Sequence, residues 1–125
     1  MSQYVDALLS GQGETSTYRL PSAGASTNAA SIKTSEGRVY GIQGQVAAAY
    51  AVYLVLYDVN TVPVPGTTVI RKKIPLAASS VFNISFPFGI QFNSGIGVAI
   101  TKLAADADTT VLVAGDVLAL NIDYV

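Results

Sequence analysis

The stretch "RVYGIQGQVAAAYAVYLVLYDVNTVPVPG", Arg38 to Gly66, decides the fold. In its first part Tyr40, Ile42, Gly44 and Val46 alternate with Val39, Gly41, Gln43 and Gln45. A period of two places one apolar row on one face of a strand. The following "AVYLVLYDV" is apolar on both faces and rich in β-branched and aromatic residues, the pattern of a central strand. On such a strand Tyr53 and Tyr57 point one way and Tyr50 the other, and packing at the core edge is the expected role of all three. Asp58-Val59-Asn60, then Pro63 and Pro65-Gly66, end the strand.

The same punctuation continues toward the C-terminus. "TTVIRKKI" resumes and stops at Pro75, and "VFNISF", with Phe82, Ile84 and Phe86 on one side, stops at Pro87. "FGIQF" and "GIGVAIT" flank an Asn93-Ser94-Gly95 turn, and "DVLALNIDYV" sets Leu118, Leu120, Ile122 and Tyr124 against Ala119, Asn121 and Asp123. That predicts about seven or eight short strands, with no connection long enough for a crossover helix. The expected fold is all-β, an antiparallel β-sandwich or jelly roll over residues 29–125. Residues 1–28 are rich in Ser, Thr, Gly and Gln and short of bulky side chains, so they predict an N-terminal arm, extended or weakly ordered, that is either a floppy tail or a segment ordering only on a neighbouring subunit. Tyr4, Leu8 and Leu9 give that arm its apolar contacts, and Arg19-Leu20-Pro21 reads as extended chain.

Length and composition bound the rest. A chain of 125 residues is one domain, and area scaling gives roughly 6,300 Å² folded against about 18,700 Å² unfolded, enough burial to fold without staples. The chain has no cysteine for a disulfide or a thiolate metal site. No apolar run reaches the roughly 18 residues that a membrane helix needs, and the N-terminus has no basic residue ahead of its short apolar patch, so neither a membrane span nor export is expected. A net charge of −1 supplies no footprint for nucleic acid. Only 12% of residues are charged, about half the usual fraction, which points to a surface partly covered in an assembly.

The chemistry open to the chain is narrow. Without His or Cys there is no Ser-His-Asp or Cys-His arrangement and no imidazole acid–base step. Asp106-Ala107-Asp108-Thr109-Thr110 matches the D-x-D-x-T pattern of aspartyl-nucleophile phosphatases. That mechanism also needs a downstream cation, and no Lys or Arg follows Thr110. A carboxylate pair for glycoside hydrolysis would draw on acids that sit mostly at turns, without a Trp for stacking a sugar. Asp106, Asp108 and Asp116 are the candidate calcium ligands, although their spacing fits no EF-hand loop. The competing reading is a turn whose Asp and Thr side chains bond its own amides. Arg71-Lys72-Lys73 reads as a charged edge strand, with Arg71 and Lys73 sharing a face as candidate partner contacts alongside Arg19. Asn83-Ile84-Ser85 fits the glycosylation pattern but falls inside a strand, and is read as structural. No cofactor and no catalytic residue is expected.

The last two thirds of the chain resemble small β-rich virion proteins of tailed bacteriophages. The matching elements are Ile74-Pro75-Leu76, Phe88-Gly89-Ile90-Gln91-Phe92, Gly95 to Thr101 and Ala114-Gly115-Asp116, and the likeness spans about residues 38–125. These are turn and core residues, so no functional residue transfers. The resemblance implies a non-catalytic virion subunit, above all a capsid decoration or cement protein that binds the major capsid protein or other virion subunits and itself, as a dimer or trimer. The alternative it leaves is a receptor- or carbohydrate-binding β-sandwich module of a tail fibre or baseplate. Either would be made in the host cytoplasm and reside in the virion, with no nucleic acid or membrane partner.

Overall fold

The structure, a computed structural model, describes residues 15–125. Eight strands follow one another: β1 (Ser16–Ser22), β2 (Ala30–Lys33), β3 (Gly37–Val46), β4 (Val52–Asp58), β5 (Ile70–Leu76), β6 (Ser80–Phe92), β7 (Ile96–Thr101) and β8 (Val117–Tyr124). They form two four-stranded sheets, ordered β1-β8-β3-β6 and β2-β7-β4-β5. All pairings are antiparallel. No helix occurs among the described residues, in keeping with the all-β expectation.

One buried cluster joins the two sheets. Ile42, Val46, Phe82, Phe92, Leu120 and Ile122 come from the first sheet, and Leu54, Leu56, Leu76, Ile96, Val98 and Ile100 from the second. The fold is therefore β-sandwich-like, with its core between the sheets. β4 is a central strand, as the run around Tyr53 predicts. Its second apolar face is buried too: Val55 and Tyr57 pack with Ala99, beneath Ala29, Val59 and Ile70.

Several sequence expectations are corrected. Residues 16–22, assigned to the arm, form β1, whose register runs from Ser16 opposite Tyr124 to Ser22 opposite Leu118. The sheet thus reaches well before residue 29. Tyr18 and Leu20, partly buried on β1, pack against the core. Residues 1–14 of that arm, with Tyr4, Leu8 and Leu9, lie outside the described residues. Tyr40 does not share the inner face with Ile42, because β3 spends two residues, from Val39 to Gly41, where β8 spends one. That bulge turns Val39 inward, and it is fully buried. A second irregularity beside Ala119, at φ 51°, leaves Leu118 half-buried while Val117 enters the core. The strand expected to stop at Pro87 continues as the 13-residue β6. Pro87 sits in a bulge, where Phe86 to Gly89 face the single residue Tyr40, so its missing N–H breaks no ladder. Pro75 likewise lies inside β5, an edge strand.

Leu54 is fully buried at the middle of the shared core. Leu54→Ala is expected to cost about 2–5 kcal/mol, read as a lowered urea midpoint. Val69→Ala, at a side chain 84% exposed, is expected to stay within about 0.5 kcal/mol.

Candidate functional site

The acidic stretch lies in the loop from Lys102 to Asp116 that joins β7 to β8, and two of its three carboxylates hold that loop together. Asp108 accepts from the Leu103 amide at 3.0 Å and from the Thr110 hydroxyl at 2.6 Å. Burial alone would raise the Asp108 pKa, but the Thr110 hydroxyl, the Leu103 and Thr110 amides and the charge of Lys73 outweigh it and hold the group below the usual carboxylate value. Asp116 is buried and accepts from the Val113 amide at 2.8 Å and from the Tyr50 hydroxyl. The Tyr50 pKa is pushed up, first by that hydrogen bond, then by burial and by the Asp116 charge. The Lys102 ammonium lies 4.2 Å from the centre of the Tyr50 ring. Gly115, at φ 83°, adopts the left-handed conformation that a tight return into β8 needs.

Asp106 stands apart, exposed beside a shallow recess of about 360 Å³ shared with Gly66, Thr68, Val69 and Ile70. Among the described residues no three Asp, Glu, His or Cys side chains come together as a metal-binding set. Asp106, Asp108 and Asp116 are thus not assembled into a calcium site, and the side-chain-bonded turn is the arrangement present. A further acid does similar work unannounced by any motif. Asp58 accepts from the amides of Asn93, Ser94 and Gly95 at 3.0, 2.8 and 3.4 Å, clamping the β6–β7 turn to the end of β4. Burial pushes its pKa up, but those three amides and Arg71 more than offset this and lower it.

The basic candidates sit on edge strands, β1 and β5. Arg19 is exposed and its Nε donates to Asn121 Oδ1 at 3.1 Å. Arg71 and Lys73 do not share a face. β5 has one residue too many opposite Leu56 and Tyr57, so Arg71 falls in a bulge. Its Nε donates to Gln91 O on β6 of the other sheet at 3.0 Å, whereas Lys73 Nζ reaches the Ala105 carbonyl at 2.7 Å and lies 5.6 Å from the Tyr53 ring centre. All three cations are thus engaged within their own chain.

More informative for contact are apolar side chains left in solvent. The β4–β5 loop exposes Val62, Val64 and Val69, and the β7–β8 loop exposes Leu103, Val111 and Val113. The two loops touch where Gly66 meets Ala107 and Thr109. On β6, Val81 and Phe88 are 80% and 88% exposed. Simple alternation would put Phe88 in the core with Ile90 and Phe92. The Phe86–Gly89 bulge, with Gly89 at φ 76°, breaks the alternation there, and the Pro87-Phe88-Gly89 triplet was the available turn signal. A second open recess, of about 390 Å³, is lined by Lys33, Glu36, Arg38, Tyr40 and Gln91 among others.

A scan against protein-family models and searches of curated proteins and of solved structures find no match to the chain.

Tyr50→Phe removes one of the two donors to buried Asp116 and is expected to cost about 1–3 kcal/mol in urea unfolding, whereas Asp106→Asn, at an exposed side chain, is expected to be near neutral. The lowered pKa values of Asp58 and Asp108 fix the sign of the acid response. Their stabilisation is present above the unfolded carboxylate value of about 3.9 and is lost as pH falls through the folded values. Thermal midpoints taken from pH 6 down to about pH 2 are expected to fall steeply below about pH 4, and to fall less in Asp58→Asn.

Proposed function

We propose that the chain is a non-catalytic structural subunit of a bacteriophage virion, a capsid decoration or cement protein that binds and stabilises the major capsid lattice. The observation that carries this reading is the apolar surface on the two touching loops, Val62, Val64 and Val69 with Leu103, Val111 and Val113. Exposed apolar side chains on adjoining loops offer contact area to a partner, and a chain with only 12% charged residues has little else on its surface to hold a partner at long range. The resemblance over residues 38–125 points to the same class.

The strand order supports it further. β1 pairs with β8, β2 with β7, β3 with β6 and β4 with β5. A long ribbon folded at its middle and wrapped into two sheets gives this nested pairing, which we read as a jelly roll, an architecture used by viral capsid domains and lectins. With β1 in the sheet, the part of the arm left to clasp a neighbouring subunit is residues 1–14. A tail-fibre or baseplate module that binds a receptor or carbohydrate is the second reading. The recess lined by Tyr40, Arg38, Glu36 and Gln91 favours it, since an aromatic face beside planar polar groups suits a sugar ring.

Co-sedimentation with empty capsid shells of the encoding phage tests the first reading. Saturable binding is expected, weakened at least tenfold by Val62→Asp combined with Val113→Asp. Protein that stays in the supernatant at every concentration contradicts it, and glycan binding abolished by Tyr40→Ala would establish the second reading instead.

A further inference from the structure

We infer that the free edge of β6 is a self-association surface, through which two copies of the chain pair antiparallel about a two-fold axis near Asn83 and join their first sheets into one eight-stranded sheet. Among the described residues the four sheet edges are β1, β6, β2 and β5. A strand edge presents unpaired N–H and C=O groups, and its natural occupant is another extended strand. Proteins blunt such edges with charge. β1 carries Arg19, β2 carries Lys33 and β5 carries Arg71, Lys72 and Lys73, whereas β6 has no ionisable side chain in 13 residues, the longest strand among those described. Self-pairing of β5 would set like charges against each other, and self-pairing of β6 opposes none.

The geometry of β6 suits this role. From Ser80 to Ser85 it runs in unbroken register against β3, from Val46 opposite Ser80 to Gly41 opposite Ser85, so its outer edge is regular. Its faces alternate cleanly: Val81, Asn83 and Ser85 are exposed, while Phe82 is buried and Ile84 and Phe86 are partly buried against the core. The core is thus only partly closed along this edge. Pairing about Asn83 places Phe82 opposite Ile84 of the second copy, so each copy covers the other's half-buried row, and antiparallel partners meet on the same face. Beyond Ser85 the Phe86–Gly89 bulge ends the regular stretch, and the Arg38 Nη1 bond to the Phe88 carbonyl at 3.0 Å holds it in place. This limits pairing to the flat segment and favours a closed dimer over an open fibre.

The inference concerns contact between copies and stands or falls independently of capsid or glycan binding. Sedimentation velocity on the full chain, from about 1 to 100 μM, tests it. The wild type is expected to reach a dimer, and Asn83→Lys, which sets two lysines against each other at an exposed position, is expected to shift the dissociation constant at least tenfold toward monomer with an unchanged far-UV circular dichroism spectrum. Thr17→Lys on the β1 edge is expected to leave the dimer intact. Should Asn83→Lys not fold, Asn83→Glu serves the same purpose, since it sets two glutamates against each other across the same axis. A wild type that is monomeric throughout, whatever covers the edge within it, or trimeric, overturns the inference, as does a dimer indifferent to charge on β6.

Discussion

The structure depends on pairing between distant parts of the chain. Each strand of the first half hydrogen-bonds to one of the second half, β1 to β8 at one extreme and β4 to β5 at the centre. Among the described strands only β4 and β5 are both adjacent in sequence and paired. Most of the ladder therefore closes long loops before it gains contacts, an entropic cost that favours slow folding. The core offsets that cost: Ile42, Leu54, Phe92, Leu120 and Ile122, fully or almost fully buried, come from strands far apart in sequence and meet in one cluster.

Within that frame the polar residues are occupied with the loops. Asp58 ties the β6–β7 turn to β4, Asp108 folds the β7–β8 loop on itself, and Asp116 with Tyr50 pins that loop to the β3–β4 connection. Each carboxylate that satisfies backbone amides in its own loop is less open to a metal or a substrate. What the surface leaves unsatisfied is apolar or backbone in character: valines on two touching loops, and the uncharged edge of β6. These are features suited to contact, and they motivate the structural role proposed above.

Much of this architecture was legible in the sequence, and what was not has definite physical causes. Period-two alternation and proline punctuation located β3, β4, β7 and β8 closely, because those strands bury a face and the pattern reports burial. β1 escaped because its residues are mostly exposed: Tyr18 and Leu20 are only partly buried, and Pro21 reads as a breaker, although an edge strand tolerates it. Bulges were invisible for another reason. One extra residue at Tyr40, at Arg71 or beside Ala119 shifts the inward row by one, and strict alternation then assigns the wrong face. The acidic loop shows the opposite case, since within a motif-like string of Asp and Thr the Asp108 carboxylate bonds to its own turn at Leu103 and Thr110. Asp58 and the exposed Phe88 carried signals, a strand-terminal acid and a Pro-Phe-Gly triplet, whose consequences depend on partners far along the chain.

The nested pairing is the claim from which the core, the loops and the free edge all follow. Backbone nuclear Overhauser contacts in the isotope-labelled full chain test it most directly. The account predicts cross-strand contacts linking β1 to β8 around Leu20 and Leu120, β3 to β8 around Ile42 and Ile122, and β4 to β7 around Leu54 and Ile100. Contacts confined to sequence-adjacent hairpins, with β1 against β2 and β3 against β4, would contradict it.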